Sequence, residues 1–235
     1  MIQHFKFKAS SGFTIIEISV VLIIISLLIG GILKGQQLIN IAKEKQLQSD
    51  FRNIPQMIYS YQDKYKALPG DDKNAASRFA NISTLVQNGN GESQITGSWF
   101  EFNSIKGSSI IWQHLRLAGL MGGEIDMSSP DYLPKNALGK AIEIHSASSN
   151  ASESPILDRQ NNALKGTYII CSRGISGEIA LSLDIHLDDG NPSSGSVLAT
   201  EDNDTFTTAS PSATIGTNTL SDISRDNLYT VCMGV

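Results

Sequence analysis

Glu17 is the one ionisable side chain in an apolar run that opens at Phe13 and continues for about twenty residues, the length that spans a bilayer as a helix. A carboxylate at that depth costs roughly 2.5–3.5 kcal/mol on insertion scales, so it calls for a cationic partner and for a function. A second set of oxygen donors, Asp184, Asp188, Asp189 and Asn191, crowds into one short turn-forming stretch. Calcium takes about six to eight oxygens from carboxylates, carbonyls and water, which makes these four the candidate calcium ligands. The EF-hand pattern, with alternating acids and a closing Glu, is not met, and an Asp-Gly turn without a metal suits the same residues. Cys171 and Cys232 are the third set. In an oxidising compartment they can close a loop of about sixty residues, worth about 4 kcal/mol; two buried free thiols are the alternative. Neither cysteine has a CxxC partner or a His at ligand spacing, which argues against zinc and redox roles.

The remaining polar residues add no reactive constellation. His4, His114, His145 and His186 are scattered, away from both cysteines and from any serine of nucleophile-elbow type, so the chain reads as a non-enzyme. His114 and Arg116 are expected to be solvated or structural. Asp71 and Asp72 suit the capping of a short helix better than a metal.

The elements that must carry these residues follow from periodicity. Leu47, Phe51, Ile54, Ile58, Tyr61, Tyr65 and Leu68 recur at alternating steps of four and three, the stripe of an amphipathic helix that continues from the apolar run. Pro55 falls inside the stripe and is expected to bend the helix, Gly30-Gly31 is its weak spot, and Leu68-Pro69-Gly70-Asp71-Asp72 closes it. A short helix is expected near 74–80, and a second from Ser109, with Ile111, Trp112, Leu115 and Ala118 on one face and Gly119 as the stop. Residues 141–145 and 166–171 read as strands, with a last short strand at 229–232. Residues 178–187 fit both a strand and a helix. Residues 193–224 are rich in Ser, Thr, Asn and Gly and read as a long surface loop. Trp99, Phe100 and Phe102 are candidates for the core or for a surface patch.

The 235 residues, 40% hydrophobic and 17% charged, suffice for one globular domain beyond the helix. The net charge of −5 argues against a nucleic-acid surface. Lys6 and Lys8 hold the N-terminus in the cytoplasm by the positive-inside tendency, a signal that Lys34 weakens.

Ser11-Gly12-Phe13-Thr14-Ile15-Ile16-Glu17, followed by the apolar helix, resembles the class III signal of type IV prepilins and type II secretion pseudopilins. The resemblance covers only the first part of the chain. It implies cleavage between Gly12 and Phe13 by a prepilin peptidase and N-methylation of the new Phe13 amine. Assembly with other pilin or pseudopilin subunits on an inner-membrane platform would then follow. The Phe13 ammonium of one subunit is the partner that Glu17 of a neighbour requires, and such a pair sets register because breaking it strands a charge. A secretory signal peptide would carry its small residues after the apolar stretch, and a plain anchor leaves Gly12-Phe13 and Glu17 unexplained.

The family implies an α+β, pilin-like fold. Its parts would be a leader over 1–12, a membrane half of the helix over 13–35, an amphipathic half over 36–68, and a periplasmic head with a small antiparallel sheet over 69–235. Pilin-like chains with a similar LDxxLDDGxPxxG stretch favour a helix at 178–187, and some pseudopilins hold calcium in such a loop. A Cys171–Cys232 bond would pin the C-terminal tail to the sheet edge, as in many type IV pilins. Before assembly the helix would sit in lipid; nucleic acid would be a partner only for a DNA-uptake pilus. The alternative is a minor tip protein serving adhesion, DNA uptake or priming of assembly.

Overall fold

The computed structural model describes residue 12 and residues 14–97, 106–150, 154–202, 223–224 and 227–235. Lys6, Lys8, Phe13, Trp99, Phe100 and Phe102 lie outside the described residues, as does most of the expected loop at 193–224. Helix α1 covers Ile15–Tyr65, and the chain divides into two compact units, Met1–Ala42 and Lys43–Val235.

In the first unit α1 is a run of Ile, Leu and Val whose side chains stand exposed, from Ile15 to Leu33 and on to Ile41. An 18-residue window of α1 has a mean hydropathy of 2.8 with none of it buried, so the helix is long and apolar enough to cross a membrane. A helix suits that setting because it satisfies every backbone polar group internally, even where the residues are β-branched. Gly30 and Gly31 are helical, with open space around both.

In the second unit the stripe on α1 becomes core: Leu47, Phe51, Ile54, Ile58 and Tyr61 are buried, and Tyr65 and Leu68 pack partly against them. Each such side chain contributes roughly 1.5–3 kcal/mol relative to exposure. The helix runs on through buried Pro55. It ends at Tyr65, three residues short of the expected close, because Lys66 turns left-handed (φ 54°) and donates its amide to Gln62 O at 2.8 Å.

Helix α2, Ala75–Arg78, is a single turn, and α3, Gly107–Leu117, starts two residues before the expected Ser109. Gly119 (φ +72°) follows α3 as its stop. Every residue of α3 is buried, so of the two roles expected for His114 and Arg116, solvated or structural, the structural one holds. Irregular backbone packs around this helix, and its polar side chains replace water as partners for that backbone. Gln113 accepts from the Gln87 amide (2.8 Å) and donates to Leu85 O and Ile125 O, while Arg116 donates to Gly122 O and Glu124 O. The Gly70 amide donates to His114 Nδ1 (2.9 Å), so the ring proton sits on Nε2 and is given to Gln87 O at 2.8 Å. Gly70 (φ +88°) is required there, since a Cβ would meet Gly107 O at 2.6 Å.

Strands β1 (Ile142–Ser146), β2 (Tyr168–Ser176), β3 (Val197–Glu201) and β4 (Leu228–Gly234) form one antiparallel sheet in the order β1-β2-β4-β3. Side chains alternate between its faces. Ile142, Ile144, Ile170, Val231, Val197 and Ala199 join the core that contains the α1 stripe. Ile169, Cys171, Leu198 and Cys232 form a second, smaller core with Ile156 and Leu164. Strand β3 overturns part of the expected loop: Val197-Leu198-Ala199 is a short apolar run inside a polar segment, and β4 supplies its hydrogen bonds. Helix α4, Gly177–Leu187, resolves the ambiguous stretch. It buries Gly177, Ala180, Leu183 and Asp184, a helical row, and leaves Ile185 63% exposed, where an alternating strand would have turned it inward.

Candidate functional site

Three places bear on function: the start of α1, the turn after α4, and the centre of the sheet. At the first, Thr14 and Glu17 form a reciprocal cap. Glu17 Oε2 accepts from the Thr14 amide and hydroxyl, both at 2.8 Å, and the Glu17 amide donates to Thr14 Oγ1 at 3.2 Å. This satisfies otherwise orphaned groups of the first turn. The T-x-x-E spacing was visible in the sequence as a capping signature, although the residue reading gave Glu17 only an intersubunit role. Gly12 is exposed, and Phe13 lies outside the described residues. Among the described residues Glu17 has no cationic partner.

At the second place the structure gathers three of the four candidate calcium ligands. Carboxylate oxygens of Asp184, Asp188 and Asp189 lie within 4.8 Å of one another. Asn191 closes the turn, with its amide on Asp189 Oδ1 and its Oδ1 accepting from Ser193 Oγ, both at 2.8 Å. Asp188 Oδ2 accepts from the amides of Ser196 (2.6 Å) and Val197 (3.1 Å), where β3 begins. Burial first, then the charges of Asp189 and Asp188, push the Asp184 carboxyl up to about 7, and the nearby Gly190 amide offsets part of this without reaching hydrogen-bond geometry.

At the third, Cys171 and Cys232 face each other across β2 and β4 with Cα atoms 4.1 Å apart and are bonded. These are the two inner strands, so the disulfide fastens the middle of the sheet and not its edge, as had been expected. The tail enters the sheet between β2 and β3, which a four-residue reading of the last strand did not disclose.

Asp71 and Asp72 are buried and serve the fold. Asp71 accepts from the amides of Glu92 and Ser93, both at 2.8 Å. Asp72 accepts from Tyr61 Oη (2.9 Å) and from the Asn74 amide (2.9 Å), and pairs with Arg78 Nε at 3.0 Å. Two groups missed in the sequence are the Arg173–Asp202 pair, 2.7 Å apart at the bulge in β2, and Glu143, whose burial raises its carboxyl well above the usual range. Glu143 alternates with Ile142 and Ile144, so only the second core on the far sheet face makes it buried.

His145 gives a pH-dependent expectation. Burial lowers its pKa from 6.5 to about 4, and Nε2 has no hydrogen-bond partner among the described residues. Between these values the unfolded chain holds the extra proton. The contribution of His145 is therefore complete above 6.5 and is lost as pH falls toward about 4. Replacing His145→Phe should shrink the stability lost between about pH 6.5 and 4.5 by roughly 2 kcal/mol, read from melts of both proteins. Equal pH dependence in the two would refute it.

Comparison with known proteins finds no matching family model, no matching curated protein and no matching solved structure.

Proposed function

We propose that the chain is a structural subunit of a type IV pilus or type II secretion pseudopilus, inserted in the inner membrane through the first half of α1. The observation that carries this reading is a lone carboxylate, Glu17, at the first turn of an exposed apolar helix directly after Gly12-Phe13. An apolar helix of that length is stable in lipid or in the core of a bundle of like helices, and its single acid has a specific mate in a neighbour's N-terminal ammonium. The long helix followed by a small antiparallel sheet supports the reading at the level of layout. The disulfide supports a head in an oxidising compartment such as the periplasm.

In this reading a prepilin peptidase cuts after Gly12 and methylates Phe13, and the assembly platform then moves the subunit from lipid into the filament. The filament contact requires this cleavage, since in a chain still carrying the leader the Phe13 nitrogen is an amide and offers no ammonium. N-terminal mass spectrometry of the membrane and sheared-filament fractions tests the proposal. The expected species begins at N-methylated Phe13 and is found in the filament fraction; an intact Met1 start in all fractions would sink it. Immunogold labelling of sheared filaments then separates a shaft subunit from a tip subunit.

A further inference from the structure

We propose that the cleft between the C-terminal end of α1 and α2 binds a small organic anion, a carboxylate or phosphate group on a polar body of monosaccharide size, with Arg78 and Lys73 holding the anionic group. The cleft has a volume of about 410 Å³, within the range of about 300–1,000 Å³ that small-molecule sites occupy. It lies within the Lys43–Val235 unit and would bind whether or not the chain joins a filament. Lys66, Lys73 and Arg78 bring three cations to its lining, and Asp71 and Asp72 bring two carboxylates. Burial decides which of these a ligand meets. Asp71 and Asp72 are 5% and 2% exposed, and their oxygens are occupied from the wall. Those of Asp71 accept from the Glu92 and Ser93 amides; those of Asp72 accept from the Asn74 amide, Tyr61 Oη and Arg78 Nε. Lys73 and Arg78 are exposed, and among the described residues Lys73 forms no ion pair. Lys66 pairs with Asp63, but both side chains stand largely in water, where such a pair is weak. The end of α1 adds a partial negative charge of roughly half a unit, which the three cations outweigh.

Arg78 is oriented before a ligand arrives. Its Nε lies 3.0 Å from Asp72 Oδ2, and its Cζ lies 5.6 Å from the centre of the Tyr65 ring. Asp72 is in turn held by Tyr61 and by the Asn74 amide, so the plane of the guanidinium is fixed from behind. Its two terminal nitrogens hold no hydrogen bond among the described residues, and a planar fork of that kind matches two oxygens of a carboxylate or phosphate. Lys73 is placed by Gly91 (φ +76°), where a Cβ would come within 3.1 Å of Lys73 Cδ; the bare backbone lets the lysine stem lie along the loop. Gln62, Asn74 and Ser93 add neutral hydrogen-bonding groups and Leu68 an apolar wall, which suit the hydroxyls and the face of a sugar ring.

The test is calorimetric titration of the full chain in detergent with glucuronate, glucose 6-phosphate and neutral glucose. At least one of the two sugar anions should bind once per chain with Kd below about 1 mM, and the tighter of them identifies the anionic group. Glucose should bind at least about tenfold more weakly, because it leaves both cations without a partner. Raising sodium chloride from about 50 to about 500 mM should weaken the sugar anion severalfold, since the cations are exposed and are screened by salt. Lys73→Gln, at an exposed position, should weaken binding by about tenfold with Tm unchanged; Arg78→Lys, which keeps the charge and loses the fork, should weaken it by a similar factor. Absence of heat with both sugar anions overturns the proposal, as does glucose binding as tightly as they do or an affinity indifferent to salt. Undiminished affinity in Lys73→Gln, or in Arg78→Lys, would likewise overturn it.

Discussion

Replacing Glu17→Ala should remove the chain from the sheared-filament fraction while leaving it in the membrane. The apolar run is unchanged, so insertion should persist; what is lost, in the proposed assembly, is the mate of a neighbour's Phe13 ammonium. Stranding one partner of a buried ion pair costs about 3–5 kcal/mol, which is a hundredfold or more in subunit association. Alanine also removes the reciprocal cap with Thr14, worth about 1 kcal/mol at the helix start, and this alone is too small to abolish assembly. Glu17→Gln separates the two effects. Its amide oxygen still accepts from the Thr14 amide, but it carries no charge. If charge pairing is the assembly device, Gln fails as Ala does; recovery with Gln would transfer the role to the cap. Wild-type incorporation of the Ala variant would remove the basis of the filament reading.

Replacing Cys171→Ser and Cys232→Ser together should lower the Tm of the head by roughly 10–15 °C. The bond closes a sequence separation of 61 residues, for which the chain-entropy model gives about 4 kcal/mol. A change of 1 kcal/mol moves Tm by about 2–4 °C in a domain of this size. Position amplifies the effect, because β4 is paired on both sides, with β2 and with β3, and the bond ties it to β2 at the Cys171–Cys232 register. Loosening β4 therefore loosens β3 and the Asp188 contacts at its start. Both sulfurs lie in the smaller core with Ile156, Leu164, Ile169 and Leu198, so serine also introduces buried hydroxyls. A double alanine variant controls for that. The prediction is measured by thermal melts of the full chain in detergent, and a Tm within about 2 °C of the parent would refute it.

Legibility differed by element for reasons that can be named. The α1 stripe was readable because it recurs over six helical turns, and strands β1 and β2 because β-formers cluster there. Strand β3 was not, since its five residues sit in a polar segment and only pairing with β4 gives them a reason to extend. The 178–187 stretch has apolar residues at both periods, so local pattern alone was undecided; the burial of Ala180 and Leu183 under the sheet chose the helix. For His114 and Arg116 residue type left a solvated and a structural role open, because polar side chains suit either. They are interior because the loops around α3 bring backbone groups that need exactly such donors and acceptors.

By itself the sequence determined an uninterrupted apolar helix with one acid near its start, an amphipathic continuation, an α+β head and a cysteine pair able to bond. These are matters of local period and residue type, which hold before any folding. Tertiary structure alone decided which strands the disulfide joins, that Asp184 is buried beside two exposed or half-buried acids, and that Asp71 and Asp72 bind backbone. Each depends on which segments distant in sequence meet, and burial and pairing are properties of that meeting.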